Sequence, residues 1–72
     1  MFKDMATRIV NAEENFISFV MDSIKCNYDT GEKVLNLYKK ERLLKIDPVI
    51  GQWNIKHGAF LDKKVLYRAA KI

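Results

Sequence analysis

Hydrophobic positions in the first third of the chain recur at three- and four-residue steps. Met5, Ile9, Ala12, Phe16, Phe19, Val20 and Ile24 share one face of a helix over about residues 4 to 25. Val10, Ile17 and Met21 form a second stripe beside the first, so the apolar arc is wider than one packed face needs. At 1.5 Å per residue this helix would run about 30 Å, longer than the rest of so small a domain can cover. Surplus length with surplus apolar surface predicts a homodimer through this first helix. Ile9, Val10, Phe16, Ile17, Val20 and Met21 would form the interface.

The stretch "KCNYDTGEK" breaks that pattern. Asp29 or Thr30 can cap a second helix, and Glu32, three residues after Asp29, stands where a capping-box acid reaches back. This helix is expected to run through about Glu41, with Val34, Leu37, Tyr38 and the stem of Glu41 turned inward. Gly31 in its first turn lowers helical propensity slightly. From Leu43 the period changes to two. In "LLKID", Leu44 and Ile46 share a face opposite Lys45; in "WNIKH", Trp53, Ile55 and His57 oppose Asn54 and Lys56. The intervening "PVIGQ" supplies a proline and a glycine for a turn, and the two runs read as a hairpin. The last stretch, "LDKKVLYRAAKI", reads as a helix capped by Asp62, with Leu61 and Leu66 placed as a hydrophobic staple. Leu61, Val65, Ala69 and Ile72 form its inner face, and Lys64, Arg68 and Lys71 a basic outer stripe. The predicted fold class is α+β, mostly α: a long helix, a second helix, a β-hairpin and a C-terminal helix in one domain spanning residues 1–72.

The segment "GQWNIKHGAF" holds the only tryptophan, the only histidine and two of the three glycines. Trp53, Ile55 and Phe60 have the spacing of residues that seat a hairpin on helices. Gly51 fits the turn, and Gly58 lets the chain swing into the last helix. With no second residue to orient it, His57 reads as a structural hydrogen-bonder rather than a ligand or a base. The rare residues serve packing.

Composition narrows the function classes. At 49% hydrophobic and 31% charged, the chain is globular rather than disordered. Cys26 is the single cysteine, so no intrachain disulfide forms, and no Cys/His cluster has metal-ligand spacing. The lone thiol suits a reducing cytoplasm. "FISFVM" spans six residues and includes a serine, against roughly 20 apolar residues for a membrane span. The N-terminus shows no apolar core followed by a cleavage site, which predicts no secretory signal and no membrane association. Cys26 and His57 lie in different predicted elements, and no phosphate-binding glycine loop or zincin or kinase motif occurs. These features predict no enzyme, no cofactor and no metal.

Charge is uneven. Residues 1 to 36 hold four basic and six acidic groups, a balance of −2. Residues 37 to 72 hold nine basic and three acidic groups, a balance of +6. The C-terminal half therefore suits an anionic partner, with DNA the first candidate. Lys33, Asn36 and Lys40 lie outward on the second helix, Asn54 and Lys56 outward on the hairpin, and Lys64, Arg68 and Lys71 on the last helix. Asparagine can pair with adenine, and lysine with guanine or phosphate. Asp29 and Glu32 place negative charge at the helix end that otherwise favours phosphate.

From about Phe16 to His57 the chain resembles the latter part of a winged helix-turn-helix domain. The likeness lies in a helix, the polar turn "KCNYDT", the helix "GEKVLNLYKKERLL" and the hairpin "KIDPVIGQWNIKH" that follows at once. That resemblance implies DNA binding through the second helix and the hairpin. The segment "LYKKERLLKIDPVIGQWNIKHGAFLDKKVLYRAA" is also similar to short proteins encoded by bacteriophages and prophages. This likeness implies a source and a cytoplasmic setting in a bacterial host, but no particular activity. The function expected is a non-catalytic binding module for DNA. The alternative is a small phage protein that binds and modulates or inhibits a host protein.

Overall fold

The computed structural model describes residues 2–56 and 61–71, with side chains from Met5 onward. His57, Gly58, Phe60 and Ile72, to which the sequence assigns packing or turn roles, lie outside the described residues. The elements are α1 (Phe2–Ile24), α2 (Tyr28–Lys40), β1 (Leu44–Asp47), β2 (Gln52–Ile55) and α3 (Lys63–Lys71). The fold is α+β and mostly helical, in the order helix, helix, hairpin, helix.

α1 is the spine. Its 23 residues span about 34 Å, close to the 38 Å long axis of the molecule. It packs against every other element. Ala12, Phe16, Ile17, Val20 and Ile24 are buried along it. They meet Val34, Leu35 and Tyr38 of α2 and Leu66 and Ala69 of α3 in one core cluster. Of the two adjacent apolar stripes on α1, the core takes residues from both. Ile17, of the second stripe, turns to α2, whereas Phe19, of the first, stays 36% exposed. Met5 and Ile9 continue the inner face beyond the core and remain on the surface. On α3 the buried pair is Leu66 and Ala69 rather than Val65 and Ala69. Leu61, Val65 and Ala70 pack at the margin.

The start of α2 differs from the sequence expectation. Asn27, not Asp29 or Thr30, is the N-cap: its Oδ1 accepts from the Thr30 amide at 2.9 Å. Asp29 then lies in the first turn, where a negative charge favours the helix dipole. The shift places Gly31 deeper in the helix, buried against α1. A Cβ on Gly31 would lie 2.9 Å from Ile17 Cγ2 and 3.3 Å from the Ile17 carbonyl oxygen. The inner side of α2 also includes Leu35, while Glu41 is exposed. Next to the cap, the Tyr28 hydroxyl donates to Glu14 of α1 at 2.7 Å. That hydrogen bond pushes the phenol up to about 12.

α2 ends in a Schellman motif. Leu43 N donates to Tyr38 O at 2.9 Å and Arg42 N to Lys39 O at 3.1 Å. Arg42 takes the left-handed position that glycine usually fills, with φ 58°. The chain then enters β1 directly. The strands pair antiparallel, with Leu44 opposite Ile55, Lys45 opposite Asn54, Ile46 opposite Trp53 and Asp47 opposite Gln52. Leu44, Ile46, Trp53 and Ile55 are half-buried and their neighbours exposed, as the alternation predicts. Asp62 caps the last helix, its Oδ1 accepting from Val65 N at 2.9 Å.

The Gly31 contact yields a direct test. Alanine at an exposed helical position would gain about 1 kcal/mol over glycine. Here the added methyl meets a β-branched side chain and backbone, and overpacking of this kind costs about 1–3 kcal/mol. Gly31→Ala is therefore expected to lower the urea midpoint at unchanged m-value. A raised midpoint would show that Ile17 can withdraw.

Candidate nucleic-acid interface

All eight residues that the sequence nominates for DNA are exposed: Lys33, Asn36, Lys40, Asn54, Lys56, Lys64, Arg68 and Lys71. They do not form one surface element. α3 packs against α1 and α2 and touches neither strand, so Lys64, Arg68 and Lys71 stand apart from the hairpin. Lys33 and Asn36 lie toward the start of α2, near the charges of Asp29 and Glu32. The residues brought together are those around the exit of α2.

That junction is built by backbone geometry. Lys56 N donates to Leu43 O at 2.8 Å, so the strand end bearing Lys56 is bound beside the residue that follows Arg42. Lys40 lies two positions before Arg42. Lys45 lies two positions after Leu43 and directly opposite Asn54. Lys40 and Arg42 thus stand at the C-terminal end of α2, where the helix dipole favours cations, and Lys45 and Lys56 lie on the strand pair that follows it. None of the four has a carboxylate partner among the described residues. Lys39, beside them in sequence, is instead engaged by Glu13 of α1 at 2.6 Å.

Arg42 and Lys45 are absent from the sequence-derived set. The alternation of Lys45 with Leu44 and Ile46 already turns it outward, but its pairing with Asn54 follows only from the register. No signal in "KKERLL" marks Arg42 as the left-handed residue.

The hairpin is held against α1 by two contacts. The indole of Trp53 packs edge-on to Phe16 at 5.2 Å and tilted to Phe19 at 5.4 Å. At the turn, the Arg8 guanidinium donates to the Val49 carbonyl. Gly51, at φ 67°, sits against the Arg8 stem, and a Cβ there would come within 3.1 Å of Arg8 Cβ. Within the turn, Asp47 Oδ1 accepts from Val49 N at 2.9 Å and Asp47 O from Gly51 N at 2.8 Å.

The residues assigned to a dimer interface divide in the same way. Phe16, Ile17 and Val20 are buried in the chain's own core, and Met21 is partly buried against it. Ile9 and Val10 remain on the surface at 36% and 53% exposure.

Among the described residues no group of three or more His, Cys, Asp or Glu side chains is placed to hold a metal. Cys26 is a half-buried free thiol. The Tyr38 phenol is pushed up by burial and by the nearby charge of Asp62, so it is a weaker acid than usual. No helix among the described residues is long and apolar enough to cross a membrane. No family model, no curated protein and no solved structure matches the chain.

The Arg8 contact is tested by hydrogen exchange. Removing a hydrogen bond worth about 1 kcal/mol is expected to speed exchange at the Gly51 amide several-fold in Arg8→Ala, with the amides of Leu35 and Tyr38 unchanged. Equal acceleration at all three would mean that Arg8 supports the whole fold rather than the turn.

Proposed function

We propose that this chain is a non-catalytic DNA-binding module of phage or prophage origin, acting in the cytoplasm of a bacterial host. The carrying observation is the group Lys40, Arg42, Lys45 and Lys56 at the α2–hairpin junction, cations without carboxylate partners among the described residues. Phosphates would be taken there, with Asn54 and Asn36 as the flanking side chains able to meet base edges. Lys64, Arg68 and Lys71 would serve a second stretch of backbone. The carboxylates of Asp29 and Glu32 repel DNA from the other end of α2, which orients the ligand toward the junction. The source rests on the likeness of the "LYKKERLL…YRAA" segment to short phage-encoded proteins.

Arg42 adds support of a different kind. A non-glycine residue in the left-handed region costs about 1–2 kcal/mol, and such strain often accompanies function. Glycine would end the helix at lower cost but would supply no guanidinium.

A second reading, a small phage protein that binds a host protein, is favoured by exposed apolar side chains. Val49 and Ile50 at the turn are 66% and 60% exposed, and Arg8 holds that turn against α1 near Ile9 and Val10. Self-association through Ile9 and Val10 belongs with this reading.

Mobility shifts with duplex DNA separate the two. Neutralising about four phosphates predicts a roughly hundredfold loss of affinity between 50 and 200 mM salt. Arg42→Gly is expected to raise the unfolding midpoint while weakening DNA binding and lowering the salt slope by about one. No shift at low salt would remove the DNA reading. For self-association, sedimentation at micromolar concentration should give a mass above 8.4 kDa, reduced to that value by Val10→Glu.

A further inference from the structure

Among the described residues the sheet stops at two strands, with β1 paired to β2 alone. The bonding pattern shows which backbone groups stand on the other edge of β1. Lys56 N donates to Leu43 O at 2.8 Å, which makes these two residues a hydrogen-bonded pair. In an antiparallel ladder such pairs alternate with non-hydrogen-bonded ones. Lys45 and Asp47 therefore direct their backbone groups to Asn54 and Gln52, whereas Leu44 and Ile46 turn theirs outward. Ile55, opposite Leu44, agrees with this phase: its amide donates away from the ladder, to Asn54 Oδ1 at 2.8 Å. On β1 no side chain plays that part, and the N–H and C=O of Ile46 have no partner among the described residues.

A bare edge of this kind is a template for another strand. The ring contacts that seat the hairpin on α1 are made by Trp53, on the strand away from this edge, and α3 touches neither strand. We propose that the edge of β1 pairs with β1 of a second copy of this chain, antiparallel and centred on Ile46, to form a four-stranded sheet.

Charge selects both the occupant and the register. A two-fold pairing centred on Lys45 sets two ammonium groups opposite each other. Centred on Asp47, it opposes two carboxylates and calls on Pro48, which has no N–H to donate. Centred on Leu44, it runs off the start of the strand. Centred on Ile46, it gives two reciprocal N–H to C=O bonds between the Ile46 residues. It also sets Lys45 opposite the partner's Asp47 twice over, on the exposed face. Opposite charges across a strand pair stabilise it and like charges destabilise it. Asp47 Oδ1 is held by Val49 N, which leaves the second carboxylate oxygen for the partner's Lys45. On the inner side the two Ile46 side chains, half-buried in the single chain, cover each other. Pairing also replaces a two-stranded sheet, marginal in water, with four strands. The inference goes beyond both readings of function and depends on neither: Lys45 faces the partner's Asp47, and Lys40, Arg42 and Lys56 stay available at the junction. Two backbone bonds and two ion pairs make a weak contact, which forms toward millimolar concentration, above the range in which association through α1 is sought.

The Ile46 amide reports the pairing. Its hydrogen exchange is expected to slow as the full chain is concentrated toward millimolar, with the Asn54 amide, bonded within each chain, unchanged. Sedimentation over the same range should show the 8.4 kDa chain passing into a dimer, in Val10→Glu as in the parent. Lys45→Glu should weaken this association about thirtyfold, the scale of two cross-strand pairs turned from attraction to repulsion. Asp47→Lys should do the same, and an equimolar mixture of the two variants should pair again, because each then offers the charge the other lacks. Asp47→Lys also loses the bond to Val49 N; if circular dichroism shows it unfolded, the Ile46 amide in Lys45→Glu decides alone. An Ile46 amide that exchanges fast at every concentration overturns the pairing. So does one protected equally at every concentration, which would mean that another part of the chain covers the edge. Association that survives Lys45→Glu, or that vanishes in Val10→Glu, belongs to a different surface and overturns it as well.

Discussion

Burial of the Phe16 ring is the contact on which the arrangement depends. Phe16 is fully buried, tilted against Tyr38 at 5.6 Å and edge-on to Trp53 at 5.2 Å. One side chain of α1 therefore joins α2 to the hairpin. A two-stranded hairpin is marginal by itself in water, and this one is seated on the core through Leu44, Trp53 and Ile55. The outward residues of the hairpin take their positions from that inner contact together with the Arg8 hydrogen bond at the turn.

The same economy governs charge. Most carboxylates near the core perform local structural tasks: Glu13 holds Lys39, Glu14 accepts from Tyr28, Asp47 closes the turn and Asp62 caps α3. Among the described residues, Lys40, Arg42, Lys45 and Lys56 have no carboxylate partner. Arg42 is the sharpest case, since the chain accepts a left-handed arginine where glycine would satisfy the Schellman bonds. A left-handed backbone and a guanidinium without a carboxylate partner among the described residues coincide at Arg42.

Much of the architecture follows from periodicity. The change from three- and four-residue steps to alternation at Leu43 predicts helix, helix, hairpin and helix in their observed order. Asp62 is legible as a cap because only one cap-forming residue precedes that apolar run. The start of α2 is not legible in the same way: Asn27, Asp29 and Thr30 are all competent within four positions. The choice of Asn27 coincides with the burial of Gly31 against Ile17, a contact fourteen residues distant in sequence that local propensity does not encode.

By itself the sequence determined which elements form and which faces of the strands turn inward, because those depend on side-chain spacing within one segment. It also determined that cations outnumber acids in the second half. Tertiary structure alone decided that Ile17 rather than Phe19 joins the core, that Arg42 adopts a left-handed backbone, and that Lys45 stands opposite Asn54 while the α3 stripe lies away from the hairpin. These outcomes depend on how separate segments close upon one another, and two adjacent apolar stripes on one helix leave that choice to the partners that pack against them.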